Sequence, residues 1–410
     1  MELTVAELFA GVGGFRVGLN KIKDFDKKTG LAKENKIWDF VWGNQFEPST
    51  KVQHAYNCYV KRFGIENNSN EDINKVNKKS IPEHNLLVGG FPCQDYSVAR
   101  SLSGEKGIEG KKGVLFWDIK DVLIEKKSPF VLLENVDRLL KSPASRRGRD
   151  FAIMLKTFDE LGYYVQWRVI NAGDYSMPQK RKRVFIFAFK KNLKYAKEFR
   201  KNKENIFNKV FPVKIDSEKE INLNKYKNIL KISDEYSEGK FFESGIMIEG
   251  TVFHYNVDSI KEEIFSLKEV IEKAKSYIDF DLKEYLVTDE KLEKWKYLKG
   301  GKRIERKTKE GHSYIYSEGN MAFPENMEEP ARTLLTSEGT TNRSSHIIYD
   351  NKQKKYRTLT EIECEIIQMF PPNWTDTMPK RNRYFMMGNA LVTGIISRLE
   401  PTLKKIIENE

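Results

Sequence analysis

The chain is poor in cysteine and histidine, and what it has is scattered. Its three cysteines, Cys58, Cys93 and Cys364, include no CxxC pair, and its five histidines show no spacing that would complete a zinc site. A disulfide framework and a structural metal are therefore not expected, and a reducing compartment is the simpler reading. No stretch is apolar for the ~20 residues that a membrane span requires. The chain enters an apolar strand at once, without a basic n-region and a long apolar h-region. The expectation is a cytoplasmic protein with no membrane partner. Internal repeats and sustained low-complexity segments are also missing.

What is present is a chain of 410 residues with 39% hydrophobic content, enough for one large or two ordinary domains with genuine cores. The formal charge of +12 favours a polyanionic partner, because Lys and Arg neutralise phosphates and release counterions. A Lys-rich solvated surface explains the charge equally well, so charge alone does not decide.

Periodicity organises the first half. Apolar residues 3–9 break into Gly11, Gly13 and Gly14, and apolar positions then return at helical spacing through Phe15, Leu19 and Ile22. That pattern is strand, glycine turn, helix, which lets a backbone approach a nucleotide-type ligand. A second strand is predicted over 38–42, followed by Asn44, Gln45, Phe46 and Glu47. Polar groups there are placed to meet a ribose and an aromatic to cover an adenine, although Asn44 and Glu47 serve equally well as helix caps. A strand over 86–88 runs into two glycines and Pro92, presenting the Cys93 thiol on a loop. Residues 100–112 carry three glycines and several charges without apolar periodicity, which predicts a loop that moves.

A helix over 115–125 leads to the apolar strand 130–133, closed by Glu134 and Asn135. A carboxylate at the carboxyl end of a buried strand lies where open α/β sheets build sites. A helix over 150–161, a strand over 164–170 and a basic cluster running into a strand at 179–190 follow. This alternation predicts an α/β fold with a doubly wound, mostly parallel sheet over 1–190. From 191 to 325 the chain is rich in Lys, Glu, Asn and Tyr and loses regular alternation, which reads as a smaller irregular domain. Within it GGKRIERKTKEGHSYIY mixes glycines, cations and aromatics, a composition suited to phosphates and base edges or to a solvated β edge. The C-terminal segment 326–410 is predicted to return its last helix to the first domain. Cys58 and Cys364 read as core residues.

A thiol, a carboxylate and two arginines at separate strand ends suit attack on an electron-poor ring. Cytosine carbon 5 is a feeble nucleophile until a thiolate adds at carbon 6. Cys93 supplies that thiolate in this reading. An acid at N3 then stabilises the developing charge, a role for Glu134, which a desolvated position keeps protonated. Arg183 holds the O2 carbonyl, and Arg181 holds backbone or carboxylate.

GFPCQ at 90–94, ENV at 134–136, QKRKR at 179–183 and FAGVGG at 9–14 resemble the main motifs of the DNA cytosine-5 methyltransferases. RTLLTSEG at 332–339, the LTxxEC helix at 359–364 and GNA at 388–390 continue the match. Each motif is weak alone, whereas their order and spacing are highly specific. The stretches DYSVARSLSGE, LLENVDRLLKSP and RTLLTSEGTTNRS further resemble the bacterial restriction-modification methylases that recognise GATC.

The resemblance implies the S-adenosylmethionine-dependent methyltransferase fold and a flipped cytosine, with Cys93 as nucleophile, Glu134 on N3, Arg183 on O2 and Arg181 supporting the site. It implies that S-adenosylmethionine, leaving as S-adenosylhomocysteine, lies against Phe9, Gly11, Gly14, Phe46, Asp72, Ile73, Pro92, Leu115 and Asn389, without a metal. Many members carry an acid where this chain has Gln45, so the ribose is left to Gln45 or Glu47. Gln94, Ser97 and Arg100 would meet DNA from the loop, and Lys302, Arg303 and Arg343 from the target-recognition region 191–325 and its flank. The implied partners are double-stranded DNA and a restriction endonuclease of the same specificity, with the methylase a monomer.

Overall fold

A computed structural model describes residues 1–91, 115–308 and 311–410. The predicted strand–helix alternation appears as β1 (Thr4–Leu8), β2 (Asp39–Asn44), β3 (Asn68–Ser69), β4 (Leu86–Gly90), β5 (Phe130–Val136), β6 (Tyr163–Asn171), β7 (Gln179–Lys180) and β8 (Lys182–Lys190). Strands β3, β2, β1, β4 and β5 lie side by side in that order, every neighbouring pair parallel. The chain therefore winds outward in both directions from β1, and the crevice at the reversal lies at the carboxyl ends of β1 and β4.

Alternate residues of these strands feed two cores. Ala6, Leu8, Leu87, Val131 and Leu133 face the helices Phe116–Lys126 and Arg149–Glu160. Val5, Leu86, Val88, Phe130 and Leu132 face Phe15 and Leu19 of the helix Gly14–Leu19 together with Leu399, Leu403 and Ile407 of the C-terminal helix Thr393–Glu408. A strand buried on both faces reads as a continuous apolar run, as 130–133 does.

The sheet does not stop at Lys190. Beyond β5 it continues antiparallel through β8 and β6 into β10 (Ser244–Ile248), β11 (Thr251–Ser259) and β9 (Val213–Asn222). Ten strands form one mixed sheet, its parallel half carrying the glycine turn and Glu134. The texture of 191–259 hid this continuation because β9 is solvent-facing over most of its length and so lacks an apolar signature. The described residues of 260–325 contribute no strand to this sheet. They include the helices Leu267–Ala274 and Asp289–Lys299 and a separate ribbon of β12 (Lys302–Lys307) and β13 (Ser313–Glu318). After them come β14 (Ala331–Arg332), paired parallel with β7, and the hairpin β15 (Ile347–Asp350) with β16 (Lys355–Thr358).

A third core, with Val12, Val17 and Cys58 on one side and Leu359, Ile362, Cys364, Ile367, Trp374 and Met387 on the other, seats the C-terminal segment on the glycine turn. Both cysteines there are fully buried, and burial pushes the Cys58 thiol up to about 12 and the Cys364 thiol well above the usual thiol range. Among the described residues no helix is long and apolar enough to cross a membrane.

Candidate active site

Glu134 lies inside β5, two residues before its end, rather than beyond it, and Arg183 stands at the start of β8, in register with Val136. Antiparallel pairing of β5 with β8 thus sets the carboxylate and the guanidinium on neighbouring strands. Arg183 Nε approaches Glu134 Oε1 to 3.1 Å, with the side chains 17% and 12% exposed. Burial raises the Glu134 pKa, and the charges of Arg183 and Arg181 oppose that rise without cancelling it. The result is a carboxyl group able to hold a proton nearer neutrality than a free glutamate. It lies against the end of β4, since a Cβ on Gly90 would come within 3.2 Å of Glu134 Oε2. Pro92, Cys93, Gln94, Ser97 and Arg100 follow Gly90 in the chain and fall outside the described residues.

Asn135 performs a task that the sequence did not disclose. Its amide donates at 2.8 Å to the Phe91 carbonyl, and its own side-chain oxygen accepts from Val136 N. This buried bridge fixes the root of the segment leading to Cys93. The ENV motif contained the signal, but which of two adjacent polar residues points across to β4 depends on strand phase.

Arg181 does not reach the surface. It is 1% exposed and donates at 2.9 Å to the Leu334 carbonyl and at 2.9 Å to the Gly388 carbonyl. Of the two partners the sequence allowed, backbone or carboxylate, its hydrogen bonds go to backbone. Burial, with the charge of Arg183 beside it, pushes its pKa down to about 9, which leaves it charged at neutral pH. Gln179 assists, accepting from Leu334 N at 3.0 Å. The crossing is close: a Cβ on Gly388 would sit 2.4 Å from backbone atoms of Leu335 and Thr336, so only glycine fits. The basic run 179–183 therefore alternates, with Gln179 and Arg181 stitching the C-terminal segment to the sheet and Arg183 facing Glu134. Asp137, Asn171, Lys180, Lys182, Arg183 and Thr333 line an open cavity of about 400 Å³. Of its three cations, Arg183 is paired with Glu134 and Lys180 with Glu329 at 2.8 Å, and Lys182 has no carboxylate partner among the described residues.

At the other side of the crevice, Phe9 and Gly11 take left-handed backbone angles, φ 54° and 56°. A Cβ on Gly11 would meet nothing within 4 Å, so open space borders the turn. Gln45 Oε1 accepts from Gly11 N at 2.8 Å. Glu47 instead accepts from Ala55 N at 3.0 Å, in the first turn of the helix His54–Phe63. Asn44 ties the end of β2 to the Glu71 carbonyl at 2.9 Å and caps no helix. Phe46 is 37% exposed, and Phe9, Ile73 and Leu115 share one apolar cluster with Phe91. Asp72 folds its carboxylate onto Asn74 N, closing a local turn. Gly14 packs on Leu391, and Asn389, the exposed last residue of the helix Lys380–Asn389, donates and accepts no side-chain hydrogen bond among the described residues. The left-handed turn, the bordering space, an exposed aromatic and an uncommitted amide fit a nucleoside-sized cofactor.

Below the turn, Glu7 is fully buried, accepts from Tyr59 Oη at 2.9 Å, and has its pKa raised by burial to about 7. The folded chain therefore holds a proton that the unfolded chain releases above about 4.5. Stability is fully present below that pH and declines as pH rises towards 7, by an amount on the order of 3 kcal/mol. Glu7→Gln is expected to flatten this decline, measured as denaturant unfolding at pH 5 and pH 8. Equal pH slopes in variant and wild type would contradict it.

Of the expected DNA contacts, Arg343 spends its guanidinium on the carbonyls of Leu298 (2.5 Å), Gly300 (3.1 Å) and Gly319 and on Glu318. Lys302 donates to the Leu298 carbonyl at 3.2 Å and stands over the Tyr297 ring. Arg303 is exposed and its side chain has no partner among the described residues. No cluster of His, Cys, Asp and Glu able to hold a metal occurs among the described residues.

A carboxylate–arginine pair near the carboxyl end of β5, in a sheet whose parallel half is ordered 3-2-1-4-5 with a left-handed glycine turn after β1, is an α/β arrangement of the kind that holds nucleotide-type cofactors. The chain belongs to the C-5 cytosine-specific DNA methylase family, whose model matches residues 3–405, and is accordingly a DNA (cytosine-5) methyltransferase. It is 46% identical to the Type II methyltransferase M.Sau3AI of Staphylococcus aureus, over 99% of this chain and 96% of that one. It is 35% identical to the Type II methyltransferase M.HhaI of Haemophilus parahaemolyticus, over 47% of this chain and 50% of the other. In fold alone it resembles the S. pombe Dnmt2 methyltransferase, with a TM-score of 0.58 at 15% identity, covering 99% of each chain.

Proposed function

We propose that this enzyme transfers a methyl group from S-adenosylmethionine to carbon 5 of a cytosine flipped out of a GATC duplex, protecting host DNA in a type II restriction-modification system. The observation that carries the reading is the Glu134–Arg183 pair at the carboxyl edge of the sheet, beside the strand that leads to Cys93. The Cys93 thiolate adds to carbon 6, and the electron pair displaced from the ring double bond makes carbon 5 nucleophilic. Glu134 shares its proton with N3 as charge develops there, and Arg183 holds the O2 oxygen. When bound, S-adenosylmethionine supplies an electrophilic methyl group on a sulfonium. After carbon 5 has been alkylated, loss of its proton expels the thiolate and restores the aromatic ring.

Phe9, the Gly11 turn, Gln45, Phe46, Ile73, Leu115 and Asn389 would hold the cofactor. Gln45 is the better candidate for the ribose, because its side chain lies on the Gly11 turn, whereas Glu47 is held at the start of a helix. The ring cannot be attacked while it is stacked, so the base leaves the duplex. Region 191–325 acts as the target-recognition domain, its strands β9–β11 continuing the catalytic sheet and residues 260–325 meeting the groove. The enzyme acts as a cytoplasmic monomer with a restriction endonuclease of matching specificity as its functional counterpart. The similarity to M.Sau3AI, a Type II methyltransferase, supports the restriction-modification setting.

The test is methylation mapping of DNA from cells expressing the chain, together with trapping on a duplex carrying 5-fluorocytosine within GATC. Methylation at GATC and a covalent adduct lost in Cys93→Ser are expected. Modified cytosines confined to another sequence would overturn the specificity, and transfer to RNA but not DNA would overturn the substrate.

A further inference from the structure

The ribbon β12–β13 pairs with no other strand among the described residues, and most of its side chains are exposed. An isolated two-stranded ribbon is marginal in water, so this one needs support at its base and gains from a partner on its face. The base is strongly held. Arg343 binds carbonyls on both sides of the ribbon and Glu318 in it, and Met321 N donates to the Lys299 carbonyl at 2.8 Å. Lys299 pairs in turn with Glu325, which is clamped by Arg332 through two bonds of 2.8 and 2.6 Å. Arg332 adjoins Thr333 and Leu334, which bond to Lys180 and Arg181 immediately before Arg183. A continuous polar chain thus registers the ribbon to the segment that enters β8, the strand carrying Arg183.

The two faces of the ribbon differ. Register places Lys302, Ile304 and Arg306 opposite Glu318, Tyr316 and Tyr314 on one face. Several polar groups there are spent on one another: Lys302 on Glu318, the Tyr316 hydroxyl on Glu318, and Arg306 on the Tyr316 ring at 3.7 Å. The other face carries Arg303, Glu305 and Lys307 opposite Ser317, Ile315 and Ser313, and none of these side chains has a polar partner among the described residues. Ile315 is 59% exposed.

We propose that this second face enters the major groove and reads the bases flanking the target cytosine, with Arg303 on a guanine edge and Ile315 on a thymine methyl. The groove admits a two-stranded ribbon, and its edges offer the acceptors and methyl groups that an arginine and an apolar side chain discriminate. Arg303 and Lys307 match the charge of the duplex, and Lys307 meets phosphate. The proposal deepens the reading of this chain as a site-specific duplex methylase and rests on it.

The experiment measures single-turnover methylation by the full chain on its mapped site and on duplexes with each flanking base pair replaced, for wild type, Arg303→Ala, Ile315→Ala, Lys307→Ala and Arg306→Ala. Arg303→Ala is expected to lose roughly ten- to hundredfold of the discrimination at a guanine position, with an unchanged melting temperature. Ile315→Ala should relax a thymine position, and Lys307→Ala should reduce the salt slope of binding by about one without altering sequence preference. Arg306→Ala should change neither. Full discrimination retained by Arg303→Ala, or a uniform loss across all sequences, overturns the proposal. A mapped site other than GATC overturns the specificity reading alone, because the comparison is then made on that site. A wild-type enzyme that methylates no duplex overturns both.

Discussion

Glu134→Gln is expected to lower methyl-transfer turnover by about two to four orders of magnitude, the usual range for removal of a positioned acid. Glutamine keeps the shape and can still donate a hydrogen bond to N3, but it cannot deliver a proton as charge builds on the ring. It also deprives Arg183 of its partner at 3.1 Å, loosening the group placed for O2. Affinity for duplex and cofactor should change only a few fold, because the role proposed for the carboxyl is on the reacting ring. The raised Glu134 pKa adds a signature in pH. Wild-type turnover should fall on the alkaline side as the carboxyl ionises, and the variant should lack that limb. Rapid-quench kinetics across pH, with binding measured separately, distinguish these terms. Turnover equal to wild type would remove Glu134 from the chemistry.

The second large effect separates two arginines that sit two residues apart. Arg181→Ala leaves the Leu334 and Gly388 carbonyls without their charged donor, at a cost of about 3 kcal/mol or more, since each hydrogen bond to a charged group is worth ~1.5–3 kcal/mol. The melting temperature should drop by several degrees and activity should fall with it, because the C-terminal segment loses one of its ties to the segment that enters β8. Arg183→Ala breaks one mostly buried pair, whose carboxyl can take up a proton once the guanidinium is gone, and should lower the melting temperature less than Arg181→Ala while abolishing most turnover. Calorimetry run beside the methylation assay reads the split. Equal thermal stability of the two variants would show that Arg181 is not a structural tie.

Much of the site was legible because its signals are local. A glycine turn after an apolar run and a carboxylate near the end of a buried strand each follow from a few adjacent residues, and the order of the motifs identified the family, while Cys93 lies outside the described residues. Strand limits moved by one to three residues: β5 extends through Val136 and encloses Glu134, because pairing with β8 continues past the apolar run. Region 191–259 was harder to read. Its strands complete the sheet by pairing with β6, while exposed β9 carries no alternation of its own.

The sequence by itself determined the chemical groups, the order in which strands deliver them, the parallel doubly wound core and the membership of a methylase family. Short-range patterning and motif spacing are sufficient for these. Only the tertiary structure decided which side chains are already committed. Gln45 bonds to the glycine turn and Glu47 to a helix terminus, Arg181 binds two carbonyls more than 150 and 200 residues away, and Arg343 holds a ribbon in place while Arg303 stays free. The physical reason is that a hydrogen bond is fixed by geometry between distant segments, whereas composition records only that a donor exists.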